Sequence, residues 1–293
     1  MPLVPFRTLY KSILKETRRK NGRVFLADGA IGTELMRQGV EPCDILKANV
    51  SNPQMVFDLH KSYIDAGADI ITTNTFAMWD PKSLDRDNLA ILMGIEIALE
   101  AAGESERDIS VWVSLSGDCA EKVLKDRVFR WSYRGDIGLL IETCMNATQS
   151  SRAHRVLEDA PIRRNKFFPQ VSSYYFQSDG SLPDGSTVED VSGDRLASNA
   201  HSHIVGANCG DTPESFVEIT SGLRRSTRRP ILVQPNAGLP EIEYDGKLVY
   251  PLSIAEYVNL CMRIVEAGAN IIGGCCGVTP DHIASLRREL QLR

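Results

Sequence analysis

The sequence lacks several features that would assign it to a specialised class. No apolar run approaches the roughly 18 residues a membrane span needs. Basic charge is not in excess: 33 Lys and Arg stand against 38 Asp and Glu, a net charge of -5. That balance argues against nucleic acid or an anionic membrane as the main partner. The start, Met1 to Pro5, has neither a basic flank nor a long apolar core, so no secretory signal is expected. The 7 cysteines are odd in number and irregularly spaced, which disfavours an extracellular disulfide framework and favours a reducing cytoplasm. No G-x-G-x-x-G or G-x-x-x-x-G-K-[ST] follows the first apolar run, which disfavours a doubly wound nucleotide-binding sheet. No linker or low-complexity stretch divides the chain.

What is present is an ordinary globular composition, 43% hydrophobic and 24% charged over 293 residues, a length that suits one large α/β barrel. Short apolar β-rich runs alternate with helical stretches. The runs are Val24–Asp28, Asp69–Asn74, Ser110–Leu115, Gly138–Glu142, Phe168–Phe176, His203–Asn208, Pro230–Asn236 and Asn270–Gly274. Helical periodicity follows at Asn52–Ala66, Leu84–Ala102, Met145–Leu157, Thr212–Arg225, Ser253–Ala267 and Thr279–Leu290, and weakly at Thr187–Ala200. Strands buried on both faces read as continuous apolar runs, as these do. Eight βα units of about 37 residues predict an α/β fold, the closed (β/α)8 TIM barrel. Only about 22 residues separate the third strand from the fourth, enough for a crossover. They carry a short helical piece, Ala120–Lys125, and an aromatic, charged stretch, Phe129–Asp136. The helix between strands 3 and 4 is therefore shortened or missing.

A βα barrel places function at the C-terminal ends of its strands. The residues there are Asp28, Asn74 with Thr75, Asp118, Glu142, Asn208 with Cys209, Asn236, and Cys275 with Cys276. Packing alone would not put polar groups and thiols at almost every strand end. The sixth and eighth strands flank the seventh, so Cys209, Cys275 and Cys276 can converge at one rim. Three thiolates around Zn²⁺ with an open fourth position is the form of a catalytic site. Two other readings stay open: three buried small hydrophobes, and a redox role for the vicinal pair.

The chemistry follows from charge. A free thiol is only a few per cent thiolate at neutral pH, and zinc deprotonates a bound thiol. Three protein thiolates already exceed the metal's charge, so a fourth sulfur from substrate stays electron-rich. Such a site suits alkyl transfer to a thiol better than hydrolysis, where neutral His ligands leave the metal more electrophilic. Asp28 and Glu142 would suit an α-amino group; their alternative roles are a turn cap and a rim salt bridge. Asn236 either approaches the fourth metal position when substrate is absent or caps its loop. The five histidines (His60, His154, His201, His203 and His282) fall on helices or strand starts and read as structural or surface residues.

The motifs resemble the zinc-dependent homocysteine S-methyltransferase family, which includes betaine- and S-methylmethionine-homocysteine methyltransferases and the homocysteine module of cobalamin-dependent methionine synthase. The matching segments are Asp28–Leu35, Thr73–Phe76, Ile141–Thr143, Leu182–Ser186, Gly206–Cys209, Pro235–Gly238 and Gly273–Gly277, in family order across nearly the whole chain. The resemblance implies one homocysteine-binding barrel domain over residues 1–293, with zinc on Cys209, Cys275 and Cys276. It implies that Asp28 and Glu142 bind the amino-acid end of homocysteine. The backbone after Asp28 and the Thr73, Asn74 and Thr75 segment would line the pocket, and Asn236 matches the position that approaches the metal.

The chain departs from the family pattern at Ser116-Gly117-Asp118, and roughly 20 residues are missing after Tyr133–Asp136. A partner chain, another copy included, is one way to cover the outer face of strands three and four. The resemblance implies methyl transfer to homocysteine, forming methionine. The chain ends soon after the last helix, so no folate or corrinoid module is expected. A small sulfonium donor, S-methylmethionine or S-adenosylmethionine, is favoured. The alternatives are a corrinoid- or betaine-type donor, or a non-catalytic zinc-binding relative with a regulatory or assembly role.

Overall fold

The computed structural model describes residues 3–19, 22–76, 84–118, 120–121, 137–159, 170–192, 202–242 and 248–292. Eight parallel strands form the barrel: β1 (Phe25–Leu26), β2 (Ile70–Thr72), β3 (Ser110–Ser116), β4 (Gly138–Cys144), β5 (Gln170–Tyr174), β6 (Ile204–Cys209), β7 (Ile231–Pro235) and β8 (Ile271–Ile272). Each pairs with its neighbour in sequence, β1 also pairs with β8, and a parallel bridge between Ala27 and Ile70 closes the ring. The expected α/β (β/α)8 barrel is thus the observed architecture.

The helices begin where local chemistry allows. After α1 (Phe6–Thr17), α2 (Gly32–Arg37) and α3 (Ala48–Ser51), α4 (Pro53–Asp65) starts on a proline, whose missing N–H costs nothing in a first turn. Then come α5 (Leu84–Gly103), α6 (Ala147–Asp159), α7 (Val188–Ser192) and α8 (Phe216–Ser226). Both α9 (Ile254–Glu266) and α10 (Pro280–Gln291) open with capping boxes, Ser253 with Glu256 and Thr279 with His282. The weak helix expected over Thr187–Ala200 is described only as α7; residues 193–200 lie outside the described set, as do Phe129–Asp136 and most of Ala120–Lys125. Among the described residues, no helix is long and apolar enough to cross a membrane.

The barrel interior is layered. Its N-terminal end is packed by one apolar side chain from every strand: Phe25, Ile70, Trp112, Leu140, Val171, Ile204, Leu232 and Ile271. Helix α1 plugs this end with Phe6, Leu9 and Ile13. Sequence reading missed α1, although Phe6, Leu9 and Ile13 carry a helical spacing. Side chains alternate along a strand, so the residues two positions on also point inward. They are Ala27, Thr72, Ser114, Glu142, Ser173, Gly206, Gln234 and Gly273. This layer is small or polar where a packed barrel carries branched apolar residues. The apolar plug is therefore the floor, and the small polar layer makes room for a pocket above it.

Four histidines are described, and they are structural. His60 is fully buried in α4 and held near neutrality by burial, its pKa pushed down to about 4. His154 lies in α6, His203 Nδ1 accepts from the Gln170 N–H, and His282 caps α10. His201 lies outside the described residues.

Truncating the plug should be costly. Phe6→Ala removes a ring packed against Trp112. It is expected to lower stability by about 3 kcal/mol, read as a shift of the urea midpoint at unchanged slope.

Candidate active site

Three sulfurs meet at the C-terminal mouth of the barrel. Cys209 ends β6, and Cys275 and Cys276 follow β8. Their Sγ atoms all lie within 4.8 Å of one another, and all three residues are half-buried, open to solvent on one side. The backbone is built to allow this. The β7–β8 ladder continues past β8 through Cys275 N to Pro235 O at 2.9 Å. Gly274 sits so close to Val278 that a Cβ would lie 2.2 Å from its Cγ1. Cys209 itself is at φ 62, a left-handed conformation that an L side chain rarely adopts. Such strain persists only where the surroundings over-determine it, and it clusters at functional sites.

Two asparagines pin the sulfurs. Asn236 lies between the cysteine-bearing strands, where it was expected. It accepts from Cys276 N–H at 3.0 Å and directs its Nδ2 at Cys209 Sγ at 3.7 Å. Asn208 is buried, with Nδ2 4.0 Å from Cys275 Sγ and 2.8 Å from Thr143 Oγ1, and Oδ1 accepting from Thr143 N–H at 3.0 Å. Thr143, a β-branched residue, is at φ 55. The β4–β5 register shifts between Ile141 and Cys144, a bulge just past the point where Glu142 faces the barrel interior.

Both expected carboxyls are here, Asp28 fully buried and Glu142 half-buried. Asp28 accepts from Thr72 N–H at 2.7 Å and from the Thr72 hydroxyl. Burial pushes its pKa up to about 8, and the nearby Glu142 charge adds to the rise. Glu142 accepts from the Ser114 hydroxyl and lies 3.3 Å from Asn208 Nδ2. Burial pushes its pKa up to about 7, with a contribution from the negative charge at Cys276. Two carboxyls with raised pKa values, and no basic partner bonded to either among the described residues, favour a cationic ligand. In the same layer, Ser173 Oγ and Gln234 Oε1 are buried without a hydrogen-bond partner among the described residues. A polar ligand would satisfy them.

The remaining expected residues serve the frame. The Thr73 and Thr75 hydroxyls bond each other, Thr73 Oγ1 accepts from Ser114 N–H, and Thr75 Oγ1 donates to Ser114 O. Asn74 donates to Ile45 O and Asn49 Oδ1, away from the sulfurs. Their side chains thus fix β2 against β3 and the α3 loop. Asp118 is exposed and bonds Gln149, apart from the cluster. Sequence reading missed Tyr250, whose ring packs on Gly277, next to Cys276. It lies beyond a two-stranded hairpin, Glu241–Ile242 with Leu248–Val249, and no strand-end rule points to it.

The thiols are electrostatically uneven. The neighbouring Cys209 and Cys275 thiols, and the Tyr250 phenol, hold Cys276 low, while Cys209 and Cys275 are held up. A cluster that stabilises one thiolate with neighbouring thiols is ready to exchange those protons for a cation. Zinc–sulfur bonds of about 2.3 Å place tetrahedral sulfurs roughly 3.8 Å apart, a small contraction of the observed cluster. The residues present fit zinc.

The comparisons with known proteins agree with this geometry. The family model described as homocysteine S-methyltransferase matches residues 25–290. The chain belongs to the homocysteine S-methyltransferase family. It is 30% identical to a methionine synthase of Mycobacterium leprae over 94% of its own length and 25% of that protein. The chain thus spans about a quarter of the length of that methionine synthase. It is 25% identical to Homocysteine S-methyltransferase 1 of Arabidopsis thaliana, covering 96% of this chain and 98% of that one. The metallated form of the homocysteine methyltransferase MmuM from Escherichia coli shares the fold, with a TM-score of 0.71 at 23% identity over 91% of this chain and 96% of that one.

The raised carboxyls fix a pH dependence. In the metal-free protein, the unfolded chain loses the Glu142 proton near the ordinary glutamate value of 4.5, while the folded chain keeps it to about 7. Stability is therefore full below the unfolded pKa and falls across that window, by about 3 kcal/mol in total. Glu142→Gln should remove this part of the fall and make the metal-free protein more stable than wild type at pH 8, as measured by urea unfolding at several pH values.

Proposed function

We propose that this protein transfers a methyl group from a small sulfonium donor, S-methylmethionine or S-adenosylmethionine, to the thiolate of L-homocysteine, forming methionine. The observation that carries the reading is the three-sulfur cluster, partly open to solvent, with the Glu142 carboxyl joined to it through Asn208 and Asp28 nearby. Family membership supports the acceptor, and the chemistry of the donor set supports zinc.

Cys209, Cys275 and Cys276 would hold the metal, which when bound supplies the Lewis acidity that keeps the acceptor sulfur a thiolate at neutral pH. Asn236 and Asn208 orient the sulfurs from below. Asp28 and Glu142 receive the α-ammonium; its charge draws both carboxyls into their ionised forms. The substrate is then fixed at both ends, thiol at the mouth and amino group in the pocket, and most of the entropic cost of alignment is met on binding. The acceptor sulfur attacks the donor methyl in line. The new S–CH₃ bond forms as the old one breaks, and its electron pair leaves on the donor sulfur as a neutral thioether. No general base at the methyl is needed.

A second reading concerns the donor. The chain matches about a quarter of each methionine synthase, and a corrinoid-type methyl donor is the alternative.

Incubating the zinc-loaded protein with homocysteine and, in turn, S-methylmethionine, S-adenosylmethionine, betaine or methylcobalamin separates these. Methionine is expected with a sulfonium donor. Cys275→Ala is expected to lose zinc and at least about 100-fold in rate. Full activity and full zinc in that variant would exclude the site assignment. Absence of turnover with every donor, in folded zinc-bound protein, would favour a non-catalytic relative.

A further inference from the structure

Above the polar layer of the pocket, the chain leaving β5 contributes one more inward side chain. Tyr174 and Phe176 face outward: both are buried, their ring centroids are 6.5 Å apart, and the Tyr174 hydroxyl bonds Ser150 of α6. Side chains alternate, so Tyr175 between them faces the mouth, one step above Ser173. Its N–H bonds Cys144 O at 3.0 Å, which extends the β4–β5 ladder. Its phenol donates to the Asp211 carboxylate. Asp211 arrives there by an unusual turn. Cys209 and Gly210 both have positive φ, 62 and 79, and the Asp211 N–H bonds Phe176 O at 3.2 Å. A Cβ at Gly210 would lie 2.8 Å from the Phe216 ring and 3.2 Å from Phe176 O, so the turn needs its glycine. The register pairs Tyr174 with Ala207, which sets Tyr175 beside Asn208, the residue before Cys209. Tyr175 and Asp211 are both half-buried, open to solvent on one side. Among the described residues, no ion pair involves Asp211.

We propose that Tyr175 and Asp211 form the subsite for the methyl donor's positive charge, and that the donor is a small onium compound. The inference rests on the methyl-transfer reading above and deepens it by naming what recognises the donor. An onium centre has no proton to donate, so hydrogen bonds cannot hold it. It is recognised by an aromatic face and a nearby anion. Tyr175 supplies the first and Asp211 the second. The phenol occupies one acceptor position of the carboxylate and leaves the others open, while the bond holds the ring still. The place is also right. Asp211 lies two residues past Cys209, so the pair borders the rim where the acceptor sulfur is bound. Transfer then changes the ligand's charge. In a sulfonium donor the S–CH₃ bond breaks, its electron pair stays on the donor sulfur, and the methyl bonds to the homocysteine sulfur. The spent donor is a neutral thioether, which the carboxylate no longer attracts. The subsite thus favours loaded donor over product.

The test uses Asp211→Asn, which keeps an acceptor for the phenol and removes the charge, and Tyr175→Leu, which removes the aromatic face. One readout is kinetic, on zinc-loaded protein with homocysteine and the active donor. The inference predicts that Asp211→Asn raises KM for the donor about tenfold and moves KM for homocysteine by less than about twofold. The other readout needs no turnover. With homocysteine present, choline is titrated by NMR against 3,3-dimethylbutan-1-ol, its uncharged isostere. Wild type is expected to bind choline about tenfold more tightly than the isostere. Asp211→Asn is expected to lose that preference, and Tyr175→Leu to weaken it. Equal affinity for the two probes in wild type, or a preference retained in Asp211→Asn, would overturn the subsite. So would a rise of both KM values together, which would show that the turn only supports the sulfurs. A wild type that turns over no donor yet keeps the choline preference would sink the methyl-transfer reading while upholding the onium site.

Discussion

The closed parallel ring is the constraint from which the rest follows. Pairing of β1 with both β8 and β2 fixes every strand's neighbour and register. Once β7 lies between β6 and β8, cysteines far apart in sequence end on adjacent rims, and their sulfurs have nowhere else to meet. Strand alternation then does the rest. The inward residues at the N-terminal end are bulky and apolar, sealed by α1. Two positions further along, they become serine, threonine, glutamate, glutamine, alanine and glycine. The same periodicity builds a dry floor and a polar pocket from one set of strands.

The mouth is held in a costly conformation. Cys209 and Thr143 have positive φ, joined through Asn208, which bonds Thr143 twice and approaches Cys275. Two positive-φ residues cost on the order of 1–3 kcal/mol each, and desolvating Asp28 and Glu142 with no basic partner among the described residues costs more. These costs fall at one place and in one sense. A divalent ion at the sulfurs and an ammonium beside the carboxyls, as proposed, would relieve the electrostatic part of that cost.

Much of this was legible in the residues, because strand-end chemistry projects directly from sequence onto a barrel rim. Asp28, Glu142, Cys209, Asn236, Cys275 and Cys276 needed only the strand count. Other parts were not legible, for physical reasons. Helix α1 precedes the first strand and belongs to no βα repeat, so its Phe6, Leu9 and Ile13 stripe had no place in the repeating pattern. The bulge in β4 depends on tertiary pairing with β5 rather than on a local signal. Thr73, Asn74 and Thr75 sit at a strand end as the rule requires, but their side chains are taken up by Ser114, Asn49 and Ile45. Tyr250 reaches Gly277, next to Cys276, only through the hairpin excursion, which no strand-end reading could anticipate.

The most direct measurement of the central claim is X-ray absorption at the zinc edge on the loaded protein, with and without homocysteine. The account predicts one zinc per chain with three sulfur neighbours at about 2.3 Å, one lighter neighbour in the free protein, and a fourth sulfur once homocysteine is added. An unchanged coordination on adding homocysteine, or a zinc ligated by nitrogen and oxygen alone, would contradict it.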